Sequence, residues 1–419
     1  MAKYIVKGGN KLSGKVTVSG SKNAALPIIC ASLLTKEKVI LTNVPEIADI
    51  YSMIEILESF GAKIEFQNNI LEINPSNLKK AHSPDNLVKK MRASILIIGA
   101  LLPRFGEIKM AFPGGCVLGK RSVYAHTHAF KELGAKILDD KKGLHIKVKK
   151  LKGKKIILPE LSVTATENAI MAAVLAEGKT EIRLAAAEPH VQDLCRFLNK
   201  MGAKISGIGT NNLKIIGVKK LKGTKHKIIG DYLEAGTFAI AAVATQGELL
   251  IEGIDPDNLD SLWQKLKEMG AKIECKKKSI KILPCKKLKA VNALKTSVYP
   301  GFPTDLQAPF SVLLTQAKGV SKIFETLFEG RLNYLFELEI MGAHVELMNP
   351  HQALIIGPTK LKALAISSCD IRAGAAMVIA ALVADGETEI SNIYYIDRGY
   401  ENLDEKLRSI GADIVRIKK

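Results

Sequence analysis

Six times along its 419 residues the chain runs a helical stretch into Gly-Ala and then into a strand-like alternation, and this recurrence constrains the fold more than any other feature. The copies are Phe60-Gly61-Ala62-Lys63-Ile64, Leu133-Gly134-Ala135-Lys136-Ile137, Met201-Gly202-Ala203-Lys204-Ile205, Met269-Gly270-Ala271-Lys272-Ile273, Met341-Gly342-Ala343-His344-Val345 and Ile410-Gly411-Ala412-Asp413-Ile414. Their glycines stand 73, 68, 68, 72 and 69 residues apart. A glycine just past a helix takes the left-handed conformation that closes the last turn, so each copy predicts a helix end followed by a strand.

Each repeat also holds an earlier alanine-rich stretch that is apolar nearly all round, at 24–34, 93–102, 169–176, 235–244, 308–317 and 373–384. A helix without a polar face is buried, and its small residues let neighbours come close. The second helix of each repeat, such as the one over 262–269, is amphipathic and covers the outside. With the short strands between them, a repeat reads strand, buried helix, strand, amphipathic helix, strand, strand. The fold class is therefore α/β, with βαβαββ repeats grouped as two pseudo-symmetric domains of three. The expected domains are 21–229, and 1–20 together with 230–419, with residues 1–20 supplying opening strands beside the last repeat. The active site is expected in the cleft between the domains, where the N-termini of the buried helices converge and favour anions.

Composition narrows the function classes. No apolar run reaches the roughly 18 residues needed to cross a bilayer, and the N-terminus lacks the apolar core of a signal peptide, so a soluble cytoplasmic protein is expected. The six cysteines, at 30, 116, 195, 275, 285 and 369, show no Cys-x-x-Cys spacing and predict free thiols, with neither a disulfide framework nor a metal site. The net charge of +19 comes mainly from lysine spread over the whole length, since only 10 of the 61 basic residues are arginine. That distribution predicts a solvated surface and no nucleic-acid partner. The scarce arginines carry more information, because a planar guanidinium suits carboxylate and phosphate. Arg92, Arg121, Arg331, Arg372 and Arg398 fall at corresponding edges of the repeat.

The stretch Pro113-Gly114-Gly115-Cys116-Val117-Leu118-Gly119-Lys120-Arg121 breaks the repeat. The connection from 112 to 134 takes 22 residues, where the third repeat takes 15 from 187 to 202. An insertion at a constant connection reads as a functional loop, and Cys116 displayed between glycines beside Lys120 and Arg121 reads as a reactive thiol. Asp305, in Tyr299-Pro300-Gly301-Phe302-Pro303-Thr304-Asp305, is the strongest acid–base candidate, with a helix N-cap as the alternative. Asp370 and Arg372 are spaced to form an acid–arginine pair. His126 and His128 have metal-like spacing without a third ligand cluster, and read as surface or core residues. Gly207-Ile208-Gly209 lacks a strand-to-helix context and reads as a turn.

In combination, Gly20-Ser21-Lys22-Asn23-Ala24, Met91-Arg92-Ala93-Ser94, Pro113-Gly114-Gly115-Cys116 with Gly119 and Arg121, the 299–305 segment, and Asp397-Arg398-Gly399-Tyr400-Glu401 resemble the UDP-N-acetylglucosamine enolpyruvyl transferases, the 1-carboxyvinyltransferases that open bacterial peptidoglycan synthesis. The resemblance covers essentially the whole chain and implies a fold of two inside-out α/β barrel domains. It implies transfer of the enolpyruvyl group of phosphoenolpyruvate to the 3′-hydroxyl of UDP-N-acetylglucosamine by addition and elimination, with no cofactor, no metal, and these two small molecules as partners.

By the same resemblance Cys116 supplies the proton for C3 and Asp305 serves as base at the sugar hydroxyl. Lys22, Arg121 and Arg398 hold phosphoenolpyruvate. Asn23, Arg92, Arg121, the segment Ser122, Val123, Tyr124 and Ala125, the turn Ser162, Val163 and Thr164, Asp305 and the backbone at Leu327 contact the nucleotide sugar. Arg331, Asp370 and Arg372 form the supporting shell. After Arg121 the family usually has proline, a hydrophobic residue, aspartate and leucine, and this chain departs from that pattern at Ser122-Val123-Tyr124-Ala125. The rival readings are the sister transferase acting on shikimate 3-phosphate, which lacks the Pro-Gly-Gly-Cys loop, and a nucleic-acid-acting protein of similar repeats, such as an RNA 3′-phosphate cyclase.

Overall fold

All six Gly-Ala copies adopt one conformation. In the computed structural model, which describes residues 2–79, 85–114, 122–138 and 143–418, the six glycines have φ between +91° and +102°. In every copy the glycine N–H donates to the carbonyl three residues back at 2.8–3.1 Å, and the alanine N–H to the carbonyl five residues back at 2.8–3.2 Å. This paired closure satisfies carbonyls that a helix end would otherwise leave open, and it requires a residue free of the Cβ penalty at positive φ. The following alanine is buried in all six copies, which turns the chain inward to start its strand.

The chain forms two compact units, one from residues 2–19 and 230–418, the other from 20–114 and 122–229. Each has its own apolar core. The core of the second contains helices α1 (Lys22–Ala31), α2 (Leu96–Phe105) and α3 (Val163–Ala173). That of the first contains α4 (Tyr232–Ala244), α5 (Gln307–Thr315) and α6 (Ile371–Val383). All thirteen residues of α4 are buried, as an apolar helix without a polar face demands. At Gly99 in α2 an added Cβ would lie 2.8 Å from the backbone oxygen of Asn168 in α3, so the close crossing of these helices depends on glycine. The third buried helix starts at Val163, three residues ahead of the expected start at Thr166-Glu167-Asn168, and Thr166 returns both its N–H and its hydroxyl to Ser162 O in its first turn.

Among the described residues six open sheets accompany the helices, five of four strands and one of three. Strands Lys155–Ile157, Ala293–Lys295 and Ala365–Ser367 open the third, fifth and sixth repeats, each parallel to the middle strand of its own repeat. The first and fourth repeats exchange opening strands. Ser13–Thr17 runs parallel to Glu248–Glu252 of the fourth repeat, and Lys225–Lys227 runs parallel to Val39–Thr42 of the first. Only Lys3–Lys7 lies with the last repeat, between Glu387–Ser391 and Asp413–Ile417. The expectation for residues 1–20 is therefore corrected: its two strands go to different sheets, since backbone pairing depends on which strand edge is open and short strands of like pattern fit either edge. The sheet of the second repeat has three strands, Glu107–Ala111, Gly143–Lys147 and Lys136–Leu138. No described helix is long and apolar enough to cross a membrane.

Candidate functional site

The residues singled out by sequence divide between the two units. In the unit that contains α1, Ser21 caps that helix, its hydroxyl accepting from Ala24 N–H at 3.4 Å. This cap sets Lys22 in the first turn, where its Nζ lies 2.6 Å from Asp49 Oδ2. Both side chains are about nine-tenths buried (10% and 8% exposed), so the pair is a fixed charge arrangement and differs in kind from a solvated surface contact. Asn23 is half-buried beside it. Arg92 opens the 3-10 turn Arg92–Ile95, and its Nη2 donates to Ser122 O at 2.8 Å.

Within Ser122 to Ala125 the exposure is uneven. Ser122 and Tyr124 are exposed, Val123 is half-buried and Ala125 is buried, because Tyr124 begins the helix Tyr124–Glu132 and the next position turns inward. The segment from Ser162 to Thr164 is corrected from a turn to a helix start, with Ser162 at the cap position and Thr164 in the first turn of α3. His126 is also a core residue, bonded to Thr164 and Asn168. Burial, then the nearby charge of Arg92, push it down to about 3. No group of His, Cys, Asp and Glu among the described residues is arranged to hold a metal ion. Cys116, Lys120 and Arg121 lie outside the described residues.

The other unit organises itself around Asp305, in the 3-10 turn Thr304–Leu306 that leads into α5. Each carboxylate oxygen has its own guanidinium: Arg331 Nη2 lies 2.8 Å from Oδ1 and Arg372 Nε lies 3.2 Å from Oδ2. The arginines are 4% and 5% exposed and Asp305 is 26% exposed, so the acid is fixed from the inside and open on one side. The helix-cap positions here fall to Pro303 and Leu306, and the Asp305 carboxylate meets the arginines. Arg331 lies over the Phe328 ring and Arg372 over the Tyr400 ring, at 5.3 Å and 5.2 Å. Tyr400 is anchored by Thr237 at 2.9 Å. Burial works against the charge on Arg372, yet Tyr400, Asp305 and Asp231 together hold its guanidinium above the ordinary value.

The expected pairing of Asp370 with the Arg372 side chain is corrected. Asp370 caps α6, accepting from the backbone N–H of Arg372 at 2.7 Å and of Ala373 at 2.8 Å, which leaves the Arg372 side chain to Asp305. Leu327 is 39% exposed, and its N–H donates to Glu325 Oε1 at 2.9 Å. Arg398 is half-buried after the short helix Tyr394–Asp397.

Glu325 is a residue of this network that the sequence reading missed. It is fully buried, accepts from Thr304 Oγ1 at 2.8 Å, and gathers the N–H groups of Leu327 and Phe328, tying the Asp305 turn to the Leu327 loop. Its only local signal is an acid directly after the apolar strand Gly319–Phe324.

Residues 6–407 match the family model of EPSP synthase, 3-phosphoshikimate 1-carboxyvinyltransferase. The chain is 47% identical over 418 residues to UDP-N-acetylglucosamine 1-carboxyvinyltransferase of Halothermothrix orenii, covering 100% of both chains. It is 46% identical over 414 residues to UDP-N-acetylglucosamine 1-carboxyvinyltransferase 1 of Caldanaerobacter subterraneus subsp. tengcongensis, covering 99% of each. Among solved structures it is similar in fold to the enolpyruvyl transferase NikO of Streptomyces tendae, with a TM-score of 0.90 at 23% identity over 100% of this chain and 99% of that one. It is also similar in fold to EPSP synthase of Acinetobacter baumannii, with a TM-score of 0.77 at 20% identity over all of both chains.

Proposed function

We propose that this chain, which belongs to the UDP-N-acetylglucosamine 1-carboxyvinyltransferase family, transfers the enolpyruvyl group of phosphoenolpyruvate to the 3′-hydroxyl of UDP-N-acetylglucosamine and releases phosphate. The full-length identity to relatives of that name carries the reading. In the addition step the sugar oxygen bonds to C2 of phosphoenolpyruvate while C3 gains a proton. In the elimination step C3 loses a proton and the C2–phosphate bond breaks, which restores the double bond.

The proposed roles follow the charges each step needs. Asp305 takes the hydroxyl proton, and Arg331 and Arg372 hold its carboxylate in one orientation for that transfer. Lys22, Arg121 and Arg398 neutralise the carboxylate and phosphate of phosphoenolpyruvate, and Cys116 supplies the proton at C3. Asn23, Arg92, the exposed Ser122 and Tyr124, the start of α3 at Ser162 to Thr164, and the Leu327 carbonyl hold the nucleotide sugar. Asp370 serves by capping α6 and so aiming Arg372. The proposed partners are these two small molecules, and the proposed location is the cytoplasm.

The second reading, shikimate 3-phosphate as acceptor, is favoured by the description of the matching family model. Phosphate release from phosphoenolpyruvate separates the two. It is expected with UDP-N-acetylglucosamine and not with shikimate 3-phosphate, and equal release with both overturns the assignment.

A further inference from the structure

Two backbone groups of fixed polarity decide how the buried amide of Asn168 is oriented. Its Oδ1 accepts from Gly99 N–H at 2.9 Å, and its Nδ2 donates to the Ile95 carbonyl at 3.0 Å. Flipping the amide would set N–H against N–H and oxygen against oxygen. The remaining N–H on Nδ2 reaches His126 Nδ1 at 2.8 Å, so Nδ1 accepts and carries no proton. A neutral imidazole then keeps its one proton on Nε2, 3.2 Å from Thr164 Oγ1. Thr164 is therefore the acceptor of that bond, and its own hydroxyl proton remains to be donated. Among the described residues, His126 is the hydrogen-bond partner of the Thr164 hydroxyl.

We propose that His126 and Asn168 are positioning residues that hold the Thr164 hydroxyl as a donor toward an anionic oxygen of the nucleotide-sugar diphosphate, and thereby set how tightly that substrate binds. The proposal rests on the reading that the start of α3 holds the nucleotide sugar. An anion is the suited acceptor because Thr164 stands in the first turn of an eleven-residue helix, with Arg92 close enough to act on His126. The chain of donors is rigid. His126 is 2% exposed, Asn168 is fully buried, and the close α2–α3 crossing at Gly99 fixes the amide. Thr164 is half-buried and so reachable by a ligand. Burial keeps His126 in its neutral form, which preserves the direction of the relay.

The test compares Thr164→Val, Thr164→Ser, His126→Gln, His126→Phe and the double variant His126→Phe with Thr164→Val. The readouts are the calorimetric Kd of UDP-N-acetylglucosamine and the KM of each substrate. Thr164→Val is expected to weaken nucleotide-sugar binding roughly tenfold or more, the range of a hydrogen bond to a charged group, while the KM of phosphoenolpyruvate stays where it was. Thr164→Ser restores binding, and His126→Gln, which offers an N–H at similar reach, recovers most of it. His126→Phe matches Thr164→Val and adds nothing to it in the double variant. Unchanged binding in Thr164→Val, or full additivity in the double variant, overturns the relay. Should the unmodified protein fail to turn over UDP-N-acetylglucosamine, the functional reading falls and nitrogen-15 NMR of His126 decides the relay by itself. A proton on Nε2 upholds it and a proton on Nδ1 overturns it, which also covers a His126→Phe variant that does not fold.

Discussion

The two units hold their site charges in opposite ways. In one, the Lys22 ammonium meets the Asp49 carboxylate at 2.6 Å, with both side chains about nine-tenths buried. In the other, two almost fully buried guanidiniums grip the two oxygens of Asp305, and the acid keeps an exposed side. Lysine is a point charge that can be shared with an arriving anion, whereas a pair of planar guanidiniums fixes direction. Under the proposed roles, the first arrangement would neutralise phosphoenolpyruvate and the second would aim a base.

The same contrast recurs at two fully buried glutamates of the core helices. Glu234 in α4 has Lys406 Nζ at 2.6 Å and Ser19 N–H at 2.7 Å. Glu167 in α3 has no described ion pair, and its Oε1 finds no partner among the described residues. Burial pushes both carboxyls up, but Lys406 opposes the shift at Glu234 while Glu188 adds to it at Glu167. One acid is wired as an ion pair and the other as a buried neutral group.

The largest effect should come from Asp305→Asn, which keeps shape and an acceptor for the arginines but removes the proposed base. A fall in kcat of about 10³ is expected, with less change in KM for UDP-N-acetylglucosamine. A loss smaller than about tenfold would show that the clamp serves structure and not proton transfer. Next is Asp49→Asn, which removes the carboxylate 2.6 Å from the buried Lys22 ammonium and should cost about 3 kcal/mol in urea unfolding. A cost below about 1 kcal/mol would place that pair with solvated surface pairs and erase the contrast between the units.

The smallest effect is a pH dependence. Glu167 is held above its ordinary value, so its contribution is intact below about 4.5, the unfolded value, and is lost as pH rises toward the folded one. Relative to the wild-type chain, Glu167→Gln should gain at most about 1.4 kcal/mol of stability between pH 5 and pH 6. Urea unfolding at the two pH values checks the sign. A difference that does not change with pH would mean that Glu167 ionises alike in both states.

Much of the fold was legible because its signals are local. Glycine at a helix end, and an apolar stretch with no polar face, act within one or two turns of chain. The candidate site residues were legible as candidates, and their wiring was not. Asp305 stood out in a loop fixed by Pro300 and Pro303, yet its partners lie 26 and 67 residues further on. Glu325 and His126 carried no strong local signal, since a single buried acid or histidine is common in any core.

The sequence by itself determined six helix ends, six buried helices and the α/β class, because caps and burial follow from residues within a few positions of one another. Only the tertiary structure decided that Ser13–Thr17 and Lys225–Lys227 change places between repeats, that Arg372 turns to Asp305 and leaves Asp370 to cap α6, and that Asn168 and His126 set the donor direction of Thr164. The physical reason is the same in each case. An open strand edge, a guanidinium and an imidazole accept many partners, and the choice falls to whichever group the packing of distant elements brings within about 3 Å.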